Sequence, residues 1–168
     1  TDKRSAKEIA SDIDKLGGQI NAFTGKEATC YYVKTTENNL LKAADVLVDM
    51  ITSSRFDKEE MDRERLVICE EIKMTSDTPD DLAIDEGLHL VLESSSLGNS
   101  ILGTPSSLKR ITSNVMHNYV RDKYTLDRMV VSVAGKFDEE KVRDFFENAF
   151  VSMQKKQVYT EKRQGEYK

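Results

Sequence analysis

Apolar residues recur at intervals of three or four along most of the chain, which is the spacing of one face of a helix. Ser5 with Glu8, and Asp57 with Glu60, have the spacing of a capping box at a helix start. Pro79 suits the first turn of a helix, where its missing N–H costs nothing. These signals predict helices over 5–16, 37–53, 57–76, 79–93, 113–124 and 138–153.

Strand-like alternation appears in two neighbouring stretches, Gln19–Thr24 and Ala28–Thr35. The short turn between them contains Gly25, so we predict an antiparallel hairpin. The apolar, β-branched stretch Met129–Ala134 predicts a third strand. Because so few strands make a poor sheet, we expect other strands, at the amino-terminal side, to lie outside this chain.

The order of these elements predicts an α+β fold, with a mostly antiparallel sheet flanked by helices. We expect a single, partial domain over 1–153 and a polar tail or linker towards a second domain over 154–168. The chain has 168 residues and 33% of them are charged, which fits a globular protein. A net charge of −5 argues against a nucleic-acid partner, and no apolar run is long enough for a membrane.

Candidate chemistry lies in the helix predicted over 57–76, where Glu64 and Glu71 stand seven residues apart. A helix turns by about 100° per residue, so both carboxylates lie on one face with Ile68 between them. A lone acidic pair is usually solvated surface. The two histidines, His89 and His117, are not spaced as a metal-binding pair, and we interpret them as packing or surface residues.

Three stretches carry a family resemblance: 17–32, with Asn21-Ala22-Phe23-Thr24; Asp62-Arg63-Glu64 with the later Glu71; and the loop 97–104. In this order and spacing they resemble the M16 zinc metallopeptidases, which include pitrilysin, insulin-degrading enzyme and the mitochondrial processing peptidase. The resemblance covers roughly 5–150. It implies an M16-like fold, one zinc ion per intact enzyme and extended peptides or presequences as substrates.

The resemblance also implies roles for individual residues. Family members bind zinc through a His-x-x-Glu-His motif and a Glu on a later helix, which matches Glu71. Glu64 corresponds to a catalytic-site acid that supports the metal ligands. The strand matching Asn21, Ala22, Phe23 and Thr24 is an edge strand to which substrate pairs by backbone hydrogen bonds. The alternative for this strand is an ordinary buried hairpin.

The chain departs from the family pattern because it contains no His-x-x-Glu-His motif. Two of the three expected zinc ligands are therefore absent, and we expect the chain to be inactive alone, as part of a longer metalloendopeptidase. The alternatives are a non-catalytic M16-like subunit that binds peptides or acts as a scaffold, and an interaction domain without chemistry. A second M16-like domain or subunit is implied, and open strand edges would also allow a homodimer. We expect the bacterial cytoplasm, with the mitochondrion as the alternative.

Overall fold

The computed structural model describes residues 1–153, so the predicted tail or linker over 154–168 lies outside the described residues. Seven α-helices and two strands are present in this part of the chain, with 3₁₀ turns at Glu37–Asn39, Ser96–Gly98 and Leu126–Arg128. The order is α1 Ala6–Lys15, β1 Gln19–Thr24, β2 Thr29–Lys34, α2 Leu40–Thr52, α3 Lys58–Asp77, α4 Pro79–Val91, α5 Pro105–Leu108, α6 Ser113–Lys123 and α7 Glu139–Ala149. The predicted α+β class and hairpin are confirmed.

The described residues form two compact units. The first comprises Thr1–Phe23, Thr29–Arg55 and 118–153, and the second comprises Thr24–Ala28 and Phe56–His117. The first therefore holds α1, α2, α7 and almost all of the hairpin. The second holds α3, α4 and α5, together with the turn of the hairpin.

The core of the first unit lies where α1 and α2 cover one face of the hairpin. Its fully buried members are Ile13 of α1 and Ala43 and Val46 of α2, and Ile20 and Val33 of the two strands pack against them. The predicted capping box starts α1: Ser5 Oγ accepts from the Glu8 amide at 3.3 Å, and the Ser5 amide donates to the Glu8 carboxylate at 2.8 Å. Local sequence signals and core packing therefore agree on where α1 begins.

A cluster of ion pairs joins the start of α1 to α2. The Arg4 guanidinium contacts Asp45 at 2.6 Å, Asp49 at 2.9 Å and Asp12 at 3.3 Å. The Asp49 side chain is only 1% exposed. Burial alone would raise the pKa of Asp49, but hydrogen bonds from Thr1 and Arg4 and the charge of Arg4 hold it below its ordinary value. Thr1 and Arg4 together therefore keep a buried carboxylate ionised.

In the second unit, α4 packs against both α3 and the 3₁₀ turn Ser96–Gly98. A Cβ atom built on Gly98 would lie 2.7 Å from the carbonyl oxygen of Leu92, which is backbone and cannot swing away. The turn thus approaches the carboxyl end of α4 more closely than any side chain permits. Arg65 of α3 also donates to the carbonyls of Leu108 and Ile111, at 3.2 and 3.0 Å, which fixes the chain that follows α5.

Replacing Gly98 by alanine is expected to destabilise the protein by about 1–3 kcal/mol, because the added methyl group forces two backbone segments apart. Gly87 of α4 is the matched control, since a Cβ atom there meets nothing within 4 Å. Alanine at 87 should stabilise the helix by up to about 1 kcal/mol. Urea denaturation measures both, and equal effects at the two glycines would contradict the close approach.

Two local predictions are wrong. The stretch Met129–Ala134 is not a strand: Met129 is extended (φ −111°, ψ 140°) and Val130 is 93% exposed, but no strand of residues 1–153 pairs with it. β-Branched residues favour an extended backbone, whereas a strand also needs a hydrogen-bonded neighbour. The second capping box is absent as well, because Asp57 makes no side-chain capping bond, although α3 starts directly after it.

Candidate functional site

The candidate metal ligand and its supporting acid lie on one exposed face of α3. Glu64 and Glu71 are both exposed, and Ile68 between them is half-buried. Within residues 1–153, neither carboxylate makes a hydrogen bond or an ion pair. Three other acids of α3, Glu60, Asp62 and Glu70, each pair with a basic residue three positions later. The helix thus neutralises much of its own negative charge but leaves these two carboxylates available.

Apolar side chains surround Glu71 on the same face. Val67 and Met74, four residues before and three after it, are 50% and 68% exposed. A solvated helix face normally carries polar residues at such positions. An exposed carboxylate between exposed apolar side chains therefore fits a ligand-binding or covered face better than free surface.

The candidate substrate strand is at the edge of its sheet. The sheet of residues 1–153 has two strands, so the outer side of β1 has no neighbouring strand there. Asn21, Ala22, Phe23 and Thr24 are all exposed. The Asn21 side-chain oxygen accepts a hydrogen bond from the Ala22 amide at 2.8 Å, so that amide is already paired locally. A peptide that pairs with this amide would have to displace the Asn21 side chain.

The hairpin carries aromatic side chains with different surroundings. The rings of Phe23 and Tyr32 lie 6.4 Å apart, and Phe23 is 61% exposed. An open groove of about 450 Å³ adjoins β1, and its lining includes Ile13, Asn21 and Tyr32. This groove leaves room for a side chain beside the candidate strand.

Tyr31 directly precedes Tyr32 in β2, and its hydroxyl oxygen lies 2.8 Å from the hydroxyl oxygen of Tyr124. Burial, together with this hydrogen bond, raises the pKa of Tyr124 above its ordinary value. Tyr124 is therefore neutral at physiological pH. The pair ties β2 to the residue after α6, and we assign it no acid–base role.

The histidines and cysteines form no metal site among residues 1–153, where no group of three or more suitable side chains comes together. His89 of α4 is exposed. His117 of α6 is also exposed and packs edge-on against Phe56, with ring centroids 5.1 Å apart. Cys30 and Cys69 are half-buried free thiols.

Sequence reasoning missed Lys26, in the turn between β1 and β2. Its ammonium group donates to the carbonyl of Asn99 at 2.7 Å and lies 3.7 Å from the Asp85 carboxylate. A charged residue in a hairpin turn looks like ordinary surface. No local signal points to partners 59 and 73 positions away.

The family relationship follows from comparison with known proteins. Residues 1–105 match the insulinase family (peptidase family M16), and residues 110–168 match the peptidase M16 inactive domain. This chain belongs to peptidase family M16. Within the described residues, no helix is both long enough and apolar enough to span a membrane.

Curated relatives extend the comparison. The uncharacterized zinc protease YmxG of Bacillus subtilis is 44% identical over 144 residues, covering 86% of this chain and 35% of the relative. The probable mitochondrial-processing peptidase subunit beta of Arabidopsis thaliana is 33% identical over 153 residues, covering 91% of this chain and 29% of the relative. The chain thus spans about a third of the length of these relatives.

Solved structures agree on the fold. An M16-like peptidase from Alicyclobacillus acidocaldarius matches with a TM-score of 0.79 at 25% identity, covering 92% of this chain and 36% of that one. A protease from Helicobacter pylori matches with a TM-score of 0.85 at 22% identity, covering 94% and 39%. The predicted M16-like fold is confirmed.

Proposed function

We propose that this chain is part of a longer zinc-dependent endopeptidase that cleaves extended peptides. The observation that carries the proposal is the pair of exposed, unengaged carboxylates, Glu64 and Glu71, on one face of α3 in a chain of the M16 family. Relatives named zinc proteases support the metal. Presequences are the narrower substrate class suggested by the mitochondrial-processing relative.

Glu71 suits one position in a zinc site. Zinc accepts carboxylate oxygens, and the Glu71 carboxylate is exposed and makes no hydrogen bond or ion pair within the described part of the chain. The other two ligands would come from a His-x-x-Glu-His motif outside this chain. When bound, zinc would polarise the scissile carbonyl and acidify a water molecule. Glu64 would orient the zinc ligands without binding the metal itself. The chain alone would be inactive.

β1 would hold the substrate. No other strand of residues 1–153 pairs with its outer edge, so backbone groups there could bind an extended peptide, and main-chain pairing accepts varied sequences. Asn21 would release the Ala22 amide, while Phe23 and the groove beside Asn21 would contact peptide side chains. Ala22 and Thr24 would contribute mainly backbone, because their side chains are small.

The test is the encoded sequence before Thr1 and the activity of the longer protein. We expect a His-x-x-Glu-His motif there, and cleavage of the oxidised B chain of insulin by the purified protein. Chelation with EDTA should lower the rate by at least about a hundredfold, and added zinc should restore it. Cleavage that is indifferent to EDTA, or no cleavage by a zinc-loaded protein that carries the motif, would contradict the proposal.

A non-catalytic subunit is the second candidate: residues 110–168 match the M16 inactive domain, although both candidate carboxylates lie in residues 1–105, which match the insulinase family. Replacement of the upstream motif would support this alternative. In either case we propose a second M16-like domain or subunit as partner, with a homodimer as the other arrangement. Bacterial relatives favour the bacterial cytoplasm, and the plant relative keeps the mitochondrion as the alternative.

A further inference from the structure

We infer that Lys26 is a positioning residue for peptide binding. Its side chain connects the turn after the candidate substrate strand to Asp85 of α4 and to Asn99, which directly follows the Ser96–Gly98 turn. This inference rests on the proposed function and adds a residue to it. Lys26 itself would not touch the peptide. It would act through the turn, whose first residue after Thr24 is Gly25.

Lys26 makes two polar contacts with residues far from the hairpin turn in sequence. Its ammonium group makes a 2.7 Å hydrogen bond to the Asn99 carbonyl and an ion pair of 3.7 Å with Asp85. The side chains of Lys26 and Asp85 are only 25% and 30% exposed, so water competes less than at a free surface pair. Hydrogen bonds that involve a charged group are among the stronger ones in proteins.

The anchor of this contact is well fixed. Asn99 follows Gly98, which lies so close to the Leu92 carbonyl that a Cβ atom would not fit. Asp85 is on α4, which packs along α3, the helix of Glu71. The residues that receive Lys26 are therefore parts of the same compact unit as the candidate metal ligand.

The other end of the contact is a tight turn. The Gly25 amide donates to the Ala28 carbonyl at 2.8 Å, which closes the turn directly after Thr24. Lys26 is two residues beyond Thr24, so fixing its side chain restricts the carboxyl-terminal end of β1. A peptide can pair only with an extended strand that stays in place. Without this contact, a larger share of the cost of ordering the strand end would fall on peptide binding.

Peptide affinity of the longer protein, with zinc removed to prevent cleavage, tests this inference. The probe is the oxidised B chain of insulin labelled with fluorescein, and fluorescence anisotropy gives the Kd. Lys26→Met should raise the Kd about five- to tenfold, because the ordering cost then falls on binding. Lys26→Arg keeps a charged donor and should restore most of the affinity. Lys42→Met, at an exposed lysine of α2, is the matched control and should leave the Kd unchanged.

A merely structural role would give a different pattern. If Lys26→Met lowers the melting temperature but leaves the Kd unchanged, the inference is overturned. It is equally overturned if Lys26→Arg binds the peptide as weakly as Lys26→Met. Should Lys26→Met fail to fold, Asp85→Asn replaces it: this change keeps the bond to Asn99, removes the ion pair and should weaken binding about two- to threefold.

Hydrogen exchange separates failure of the inference from failure of the proposed function. Amides of residues 24–28 should exchange faster in Lys26→Met than in the unsubstituted protein, with or without peptide. If these amides exchange faster in Lys26→Met but the unsubstituted protein binds no peptide, the proposed function is overturned, whereas the role of Lys26 in holding the turn is established. Unchanged exchange would overturn the fastening role of Lys26, whatever the protein binds.

Discussion

Replacing Glu71 by glutamine in the longer protein is expected to lower zinc affinity by more than about a hundredfold, beyond the range seen for groups that only support a ligand. The amide cannot supply the anionic oxygen that zinc prefers, while the size of the side chain is kept. Peptidase activity should fall with metal content. Competition against a colorimetric chelator measures the zinc affinity, and cleavage of the oxidised insulin B chain measures the activity.

Glu70 provides the matched control for this change. It is exposed on the same helix, but it points to another side and pairs with Lys73 at 2.6 Å. Glu70→Gln should leave zinc binding unchanged, whereas Glu64→Gln should cost about ten- to a hundredfold, as expected for a supporting acid. If Glu71→Gln and Glu70→Gln bind zinc equally well, the assignment of Glu71 is wrong.

Replacing Arg4 by methionine is expected to destabilise the protein by about 3–5 kcal/mol, because Asp49 then stays buried without its charged partner. Arg4→Met combined with Asp49→Leu should recover much of this loss, since no charge is left inside. Arg121→Met removes an exposed pair with Asp122 and should cost less than about 1 kcal/mol. Urea denaturation compares the three variants, and an equal loss for Arg4→Met and Arg121→Met would contradict the role of Arg4.

The pH dependence of stability provides a second test of the Arg4–Asp49 ion pair. The pKa of Asp49 is lower in the folded than in the unfolded protein. Ionised Asp49 therefore contributes fully to the free energy of unfolding at pH values above its pKa in the unfolded chain, about 4. This contribution is lost as the pH falls through the pKa of Asp49 in the folded protein. In Arg4→Met, burial is offset only by the hydrogen bond from Thr1 and the charge of Lys3, so the pKa of Asp49 should rise. The stability difference between the two proteins should therefore narrow in acid, and a difference that widens below pH 4 would be inconsistent with this account.

Local signals were sufficient for most of the secondary structure. The capping box at Ser5 starts α1 as predicted, and β1 has the predicted bounds Gln19–Thr24. Helical spacing alone places Glu64 and Glu71 on one face of α3. These features depend on residues close together in the chain, so periodicity and end signals contain the necessary information. The roles of Glu71 and of the strand Asn21–Thr24 came from the family resemblance and stay predictions.

Other features depend on contacts between distant residues. The sequence of Met129–Ala134 favours an extended backbone, but whether it becomes a strand depends on a neighbour that residues 1–153 do not supply. Asp49 occupies a helix position that the sequence leaves undistinguished, and its burial depends on Thr1 and Arg4, which lie 48 and 45 positions away. Lys26 likewise acquires its partners through packing of the second unit.

The sequence by itself thus determined six of the seven α-helices of residues 1–153, all except α5, together with the hairpin and the shared face of the two carboxylates. Each of these is set by the backbone geometry of a short stretch. The tertiary structure decided that Asp49 is buried, that Met129–Ala134 pairs with no strand of residues 1–153, and that Lys26 contacts Asp85 and Asn99. The physical reason is that burial and pairing depend on chain segments far apart in sequence, whose meeting is fixed by the packing of the whole unit.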